Sequence, residues 1–312
     1  MAQHNISYDN VQPQDTYWYG DNRYENLTDD ELVECFKPHE WEQICKSEEE
    51  MLKALRELGN RYAKEQGIDE MPSMVKETDP SLCGGYYAVG NVIKINLEVA
   101  AENPIGAMDT VAHEENHAFQ IQCIKQENGK YTEGERALLK AQNEAYIRNG
   151  PEYWSQSLEA DSNNAGLRFV LQHKDKFLNF PEFDTYIKER SSYYHNVVDC
   201  YEESPESITL SEYVQILKAQ SWGGITQEEA DNARKCLQEG NNSIRLEGIE
   251  LRDQVREIQY ELEQQNAYQQ DDGLDFLNHE NEEAAEEQQN VQEETIEVLN
   301  VEENQTTNEY GM

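Results

Sequence analysis

Residues 72–97 interrupt a chain whose apolar residues otherwise follow the period of an α-helix. This stretch holds an Asp-Pro and a Gly-Gly break, then two short runs rich in Tyr, Val and Ile. The runs Tyr86–Val89 and Val92–Ile95 flank Gly90-Asn91, a pair typical of tight turns, so they predict a β-hairpin. With helical patterns on both sides, the sequence predicts an α+β fold that is mostly helical and has a small antiparallel sheet.

Helix-start signals recur along the chain. The sequence TDDE forms a capping box, with Thr28 as the N-cap and Glu31 three residues later. Ser47 begins the next helical pattern, and Gly67 ends it. The helical patterns after the first cover about 47–66, 105–127, 133–148, 153–175, 182–196, 208–220 and 227–268.

These patterns divide the chain into four parts. Residues 1–26 are predicted to be irregular, 27–225 to form one domain, and 226–270 to form a long helix. The remaining segment, 271–312, contains fourteen acidic residues and no Lys or Arg in 42 positions. Such a composition cannot bury enough apolar surface to fold, so a disordered acidic tail is expected.

The predicted long helix carries an apolar seam. Its apolar residues follow one another at spacings of four, three and four, which is typical of a short coiled coil. The seam either binds a partner helix through about 244–265 or packs back on the domain, and the sequence leaves both open. The seam residues are Leu251, Val255, Ile258 and Leu262.

The formal net charge of −39 restricts the partners that the chain can have. Nucleic acid and anionic membranes attract Lys and Arg patches, so neither is an expected partner, although an acidic protein can bind a basic one. No apolar run reaches 18 residues, and no secretory signal is recognised at the start. Six scattered cysteines suit reduced thiols. A cytoplasmic location is expected, or delivery by a route without a signal peptide.

The sequence DTVAHEENHAFQ places two histidines four residues apart in a predicted helix. At this spacing the imidazoles of His113 and His117 project from one face and fill two corners of a zinc tetrahedron. Glu114 lies further round the helix, where it reaches a metal-activated water as a general base. On a helical wheel the pair lies opposite the apolar arc. The competing interpretation is two solvent-exposed histidines on an amphipathic helix.

A catalytic zinc site needs a third protein ligand, and the best candidate lies in YWSQSLEADSNNAG. Here Trp154, Leu158, Ala165 and Phe169 are predicted to form one apolar stripe, with Glu159 at its border. A carboxylate at the edge of a buried stripe is costly unless it is bound by a partner such as zinc. The alternative is an exposed glutamate in a glutamate-rich chain.

Together these motifs resemble zincin-like metallopeptidases of the gluzincin type, and most of all the compact bacterial forms of polymorphic toxins and mobile elements. The likeness covers about residues 70–175: a hairpin ending in GNVIKIN, the HEENH helix, and the helix with Q-S-L-E-A-D-S. The second motif of the family reads approximately Q-P-x-E-x-D-A. Ser157 and Ser162 replace its Pro and Ala, and neither change removes a ligand.

The resemblance implies a role for each matching residue. His113, His117 and Glu159 would bind Zn²⁺, and Glu114 would be the general base. Asp161 would be a carboxylate that orients a ligand imidazole. The strand before the HEENH helix would be a sheet edge that pairs with an extended peptide. Its residues are Val92, Ile93, Lys94, Ile95 and Asn96.

The function expected on this basis is zinc-dependent hydrolysis of a protein or peptide substrate. A donor to the oxyanion is also expected, and the nearest candidates are Tyr193, Tyr194 and His195. One alternative is a catalytically inactive zincin-like scaffold, or an acidic interaction protein that binds a basic partner. Another is a metal-dependent hydrolase that acts on a different bond. A toxin role, a phage role and a housekeeping role fit the residues equally well.

Overall fold

A computed structural model describes residues 22–126, 130–199, 205–239 and 242–265. The chain divides into two compact units, Met1–Glu257 and Ile258–Met312. The elements below lie in the first unit, and only the last helix continues past residue 257. The fold of the described residues is mostly helical with one small sheet, as the sequence predicted. Most of the predicted irregular N-terminal segment (1–26) and the whole predicted acidic tail (271–312) lie outside the described residues.

The first elements form where the sequence signals placed them. Thr28 closes a capping box with Glu31, and Ser47 caps the third helix by accepting from the Glu50 backbone. Gly67 ends that helix with φ of 73°, a left-handed conformation that glycine adopts without steric cost. The elements are a 3₁₀ turn at Arg23–Asn26, α1 at Asp29–Glu34, α2 at Pro38–Ile44 and α3 at Glu48–Gln66.

The sheet has three strands: β1 at Ser73–Lys76, β2 at Gly84–Tyr87 and β3 at Val92–Ile95. The predicted hairpin is confirmed as the antiparallel β2–β3 pair, with Gly90 and Asn91 both at positive φ in its turn, but its first strand is Gly84–Tyr87 and not the predicted Tyr86–Val89. The expectation of a purely antiparallel sheet was wrong, because β1 adds a parallel pairing with β3. Strand β1 was not predicted, because an alternation of apolar and polar residues cannot be recognised over only four residues.

The strand order β1-β3-β2 also corrects the predicted peptide-binding edge, Val92–Asn96. Ile93 pairs with Met74 on one side and with Tyr86 on the other, so β3 is the central strand and has no free edge. Asn96 has a different role, because its side chain accepts hydrogen bonds from two backbone N–H groups at the start of the next helix. The strand at the sheet edge beside the HEENH helix is β2.

The second half of the chain is helical. Two predicted helices are interrupted: 153–175 breaks at Gln156, whose backbone is extended, and 227–268 breaks before residue 243. Asn242 lies in that second break and caps the following helix by accepting from the Ile244 backbone. The helices are α4 at Leu97–Glu102, α5 at Pro104–Gln126, α6 at Glu133–Glu144, α7 at Pro151–Ser155, α8 at Ser157–Gln172, α9 at Pro181–Tyr194, α10 at Pro205–Ser221, α11 at Gln227–Glu239 and α12 at 243–265. A 3₁₀ turn at Lys174–Lys176 precedes α9, and a π-helical turn at His195–Asp199 follows it.

The break at Gln156 changes the predicted stripe of the second motif. Trp154 lies on α7 and is 48% exposed, so it does not belong to the buried face of α8. The seam of α12 is buried within the first unit at Leu251 and Val255, as the packing alternative has it. Helix α5 occupies the centre of the domain, where it packs against α3, α4, α8, α9 and the sheet.

Candidate metal centre

Two helix segments bring the candidate ligands together. His113 and His117 lie one turn apart on α5, and Glu159 lies in the first turn of α8, just after the break at Gln156. The backbone N–H groups at a helix start favour a carboxylate there, which helps to hold Glu159 in this position. The side chains of the histidines are only 14% and 13% exposed, and that of Glu159 is fully buried. The interpretation of two solvent-exposed histidines is therefore wrong.

The three side chains approach one another at distances that suit a small cation. The Nε2 atoms of His113 and His117 are 3.1 Å apart. They lie 3.5 Å and 3.4 Å from the two carboxylate oxygens of Glu159. Ligand atoms at about 2.0–2.1 Å from a tetrahedral zinc are about 3.3 Å apart. The group formed by His113, His117 and Glu159 could hold a metal ion.

The surroundings of Glu159 fit a bound cation. Its Oε2 atom is buried and has no hydrogen-bond partner among the described residues, while Oε1 accepts from the Tyr146 hydroxyl. Burial opposes the charged form, but the two imidazoles outweigh it and lower the pKa of Glu159 to about 2. An ionised, buried carboxylate with one oxygen free of hydrogen bonds, facing two imidazole nitrogens, is a donor set that could hold a metal ion.

A hydrogen-bond network fixes the orientation of His117. The Nδ1 atom of His117 contacts Gln120 Oε1 at 2.9 Å and Ser162 Oγ at 3.1 Å. Gln120 in turn donates to Asp161 Oδ2 at 2.7 Å and to the Leu158 carbonyl at 2.9 Å. Because the amide nitrogen of Gln120 is committed to these acceptors, its oxygen faces Nδ1, which therefore carries the proton. Nε2 is then left with a free lone pair for a metal.

Asp161, which was predicted to orient a ligand imidazole, reaches His117 through other side chains. Asp161 contacts neither imidazole directly; its Oδ2 atom accepts from Gln120, Asn116 and the Tyr131 hydroxyl. It therefore acts on His117 through Gln120, and also through Asn116 and Ser162. Gln120 lies three residues after His117 on the same helix face, and that spacing is the signal by which the sequence analysis could have found it.

Asp109 is a second carboxylate that the sequence analysis missed. It lies four residues before His113, which places both on one face of α5. Asp109 is buried, its Oδ2 atom accepts from Arg190 and Tyr186, and its Oδ1 atom has no partner among the described residues. Burial disfavours protonated His113, but facing carboxylates, among them Glu159 and Asp109, outweigh it and raise its pKa.

Glu114 lies between the candidate ligands and the sheet edge. It is buried, with 7% of the residue exposed, and it accepts a hydrogen bond from the Tyr86 backbone of β2. Burial raises the pKa of Glu114 above its usual range, and the two imidazoles oppose this rise. The neighbouring Glu115 points away from the ligands toward α3, where its carboxylate lies close to Gly59. Burial, and then the charge of Glu114, raises the pKa of Glu115 to about 8.

The three predicted oxyanion donors have other partners. Tyr194 is buried and donates to Asn164, His195 pairs with Asp199 at 2.6 Å, and the Tyr193 hydroxyl lies 3.5 Å from the Trp154 carbonyl. The Tyr146 hydroxyl donates to Glu159 in the ligand group. The ring of Tyr153 packs edge-on against the ring of Tyr146, with the ring centroids 6.0 Å apart. Burial and the charge of Glu159 raise the pKa of both hydroxyls well above the ordinary value, so both stay protonated.

The chain was compared with protein-family models, with curated proteins and with solved structures, and none of the three comparisons gave a match. Within the described ranges, no helix is both long and apolar enough to cross a membrane.

Proposed function

We propose that the chain is a zinc-dependent peptidase. The observation that carries this proposal is the group of three buried donors at 3.1–3.5 Å from one another, with one carboxylate oxygen left unpartnered beside them. His113, His117 and Glu159 would hold the ion, and the fourth position would remain for a water molecule. When bound, zinc supplies the Lewis acidity that activates this water and polarises the scissile carbonyl.

The residues of the chain would then carry the proton and position the substrate. Glu114 would accept a proton from the attacking water and return it to the leaving amine. The Tyr146 hydroxyl donates to Glu159 and would hold the carboxylate of this ligand in position.

The substrate would bind as an extended peptide along the free edge of β2. Strand β2 ends the sheet on the side of α5, and its Tyr86 backbone already donates to Glu114. An extended peptide can add to such an edge through backbone hydrogen bonds, which hold it without regard to sequence. The edge of β2 would therefore bind the extended peptide, a role that the family resemblance implied for β3.

The matched pair Glu114→Gln and Glu115→Gln tests the function. The two glutamates are neighbours on α5, but only Glu114 faces the candidate ligands. We expect the full chain to bind zinc stoichiometrically and to cleave an unfolded protein mixture. Glu114→Gln should keep the zinc and lose about 10³-fold in rate, because general-base catalysis contributes on that scale. Glu115→Gln should retain zinc and activity.

Two results would overturn the proposal. A chain that is purified at neutral pH without zinc, and that takes up none on addition, would favour the inactive scaffold. Equal activity of the wild type and Glu114→Gln would show that hydrolysis, if seen, does not use this site.

A further inference from the structure

A cavity of about 260 Å³ lies between α4, the N-terminal half of α5 and α9, beside the ends of β2 and β3. None of the roles proposed above uses it. Pockets for small-molecule ligands usually measure about 300–1,000 Å³, so this cavity suits one long side chain better than a separate ligand.

The cavity adjoins the candidate metal centre along α5. Thr110 lines the cavity and precedes His113 by three residues, which is a rise of about 4.5 Å along the helix. Strand β2 starts at the cavity wall, because a Cβ atom at Gly84 would lie 2.9 Å from the Thr110 methyl group. An extended peptide advances by about 3.3 Å per residue. A peptide bond held at the ligands therefore leaves a side chain one or two residues away at the cavity.

The direction of the peptide determines which side of the bond faces the cavity. Antiparallel pairs are slightly more stable per residue than parallel ones, so we take a peptide on the β2 edge to run antiparallel. Its C-terminal part then reaches the Gly84 end of β2. The side chain that enters the cavity thus belongs to the leaving-amine side of the scissile bond.

The polar groups in the cavity wall already have partners. The Thr110 hydroxyl donates to the Gly106 carbonyl at 2.8 Å, and the Asn96 amide donates to the Leu82 carbonyl at 2.9 Å. Arg190 pairs with the buried Asp109 and also donates to Asn163, so its charge is neutralised inside the protein. These wall residues therefore offer a ligand neither an unpaired positive charge nor a free hydrogen-bond donor.

One charged group of the cavity remains free. Glu189 lies exposed at the rim, and no cation in the described part of the chain is paired with it. The apolar wall below it is formed by Ile95, Val99 and Ala107. An apolar wall with an exposed carboxylate beside it matches a side chain with a methylene stem and a cationic end.

On the basis of the proposed peptidase function, we infer that this cavity binds a lysine or arginine side chain on the C-terminal side of the scissile bond. The stem would pack on the apolar wall, and the cationic end would pair with Glu189. The net charge of −39 acts in the same direction, because a strongly acidic protein concentrates basic peptides around itself.

A peptide series tests this inference on the full zinc-loaded chain. The peptides differ only in the residue after the scissile bond: Lys, Arg, norleucine, Ala or Glu. We expect the highest kcat/KM for Lys and Arg and the lowest for Glu. In Glu189→Gln the ratio of Lys to norleucine should fall about fivefold, the scale of one partly exposed ion pair. Glu102→Gln removes the same charge from an exposed position on α4 outside the cavity, and it should keep the wild-type ratio.

A second variant tests the space rather than the charge. Val99 is 37% exposed, so Val99→Trp can narrow the cavity without disturbing the buried core. It should lower kcat/KM about tenfold for Lys, Arg and norleucine relative to Ala. A preference that depends on the residue before the scissile bond, or that is unchanged in Glu189→Gln and Val99→Trp, would overturn the inference while the peptidase function stands.

Binding gives a readout that does not need turnover. Fluorescent peptides that begin with Lys or norleucine would be titrated into zinc-loaded Glu114→Gln, with and without Glu189→Gln. We expect the Lys peptide to bind more tightly and to lose about fivefold in affinity when Glu189 is changed. If wild type binds these peptides with this preference but cleaves none, the proposed function fails and the binding cavity stands. If neither peptide is preferred, the cavity assignment fails.

Discussion

Two helix interfaces in the first unit are built from opposite kinds of side chain. The interface of α5 with α8 buries many amides, hydroxyls and carboxylates, whereas α6 packs on α10 and α11 mainly through alanine, leucine and isoleucine, with one buried hydrogen bond from Gln142 to Glu212. The polar set includes Asn116, Gln120, Glu159, Asp161 and Ser162. The apolar set includes Ala137, Leu138, Ala141, Ile216, Ala219, Ala230, Ala233 and Leu237.

The two interfaces differ in how much free energy their buried side chains cost. Burying a polar group costs free energy unless it is fully hydrogen-bonded, and replacing buried charges by packed apolar residues is often stabilising. Among the described residues, Asp109 and Glu159 at or beside the polar interface each leave one buried carboxylate oxygen without a hydrogen-bond partner, and the corresponding oxygen of Asp161 has only Lys130 at 3.6 Å. The alanine, leucine and isoleucine cluster around α6 shows that the same chain can also pack helices mainly through apolar side chains. We infer that the polar interface is retained for the ion it is proposed to bind.

The largest predicted effect removes the third ligand. In the wild type, zinc at 1,000 times its Kd should raise the free energy of unfolding by about 4 kcal/mol. Glu159→Gln should lose at least three-quarters of this gain. Without metal it should fold normally, because the variant replaces a buried charge by a neutral group. Urea unfolding with and without zinc measures the stability of the metal-free variant and the gain on adding zinc. An equal gain in the wild type and Glu159→Gln would contradict the assignment of Glu159 as a ligand.

The next prediction concerns the apolar interface. Leu138→Ala, at a fully buried position of α6, should lower the free energy of unfolding by about 3 kcal/mol, because it leaves a cavity among packed side chains. The zinc content of the folded protein should stay the same. Urea unfolding and metal analysis of one preparation test this pair of statements. Loss of zinc from the folded Leu138→Ala protein would show that the two interfaces are coupled.

The contrast also explains how far the sequence could predict the fold. The amphipathic helices, the capping box at Thr28 and the hairpin have local causes, and they form where those causes act. The parallel β1–β3 pair depends on contacts between distant residues, and a four-residue strand gives no pattern for them. The break at Gln156 was missed for a similar reason: its amide bonds the backbone of Ile147 and the side chain of Gln215, which no local pattern shows.

The candidate site divides in the same way. His113, Glu114 and His117 follow from one helical spacing, and Glu159 was found because a carboxylate bordered an apolar stripe. Residues that contact these from other elements were missed, since Tyr146 lies in an irregular segment between α6 and α7. Helix α5 is buried on nearly every side, so its polar residues could not be assigned to solvent or site from a helical wheel.

A smaller effect is expected from the orientation of His117. Gln120→Ala should weaken zinc binding about 10- to 100-fold, because the imidazole loses the hydrogen bond that fixes its orientation and proton position. The control is Gln122→Ala two residues along α5, where the amide contacts the Gly67 carbonyl and the Asp69 backbone instead. Competition with a chelator gives both affinities. Equal losses of zinc affinity in Gln120→Ala and Gln122→Ala would mean that the substitutions act by disturbing helix α5 and not by removing the hydrogen bond to His117.

The smallest predicted effect concerns a buried carboxylate with hydrogen bonds to both of its oxygens. Glu135 on α6 accepts from the Thr132 backbone and from the backbone and side chain of Ser243. Burial opposes its charge, but these hydrogen bonds outweigh burial and lower the pKa of Glu135 below the ordinary 4.5. A lowered folded-state pKa gives stability that is fully present above pH 4.5 and is lost as the pH falls below it. Glu135→Gln should therefore cost about 1 kcal/mol at pH 7 and progressively less below pH 4.5. Urea unfolding of both proteins from pH 3.5 to 7 checks the sign, and a cost that grows toward acid pH would reverse it.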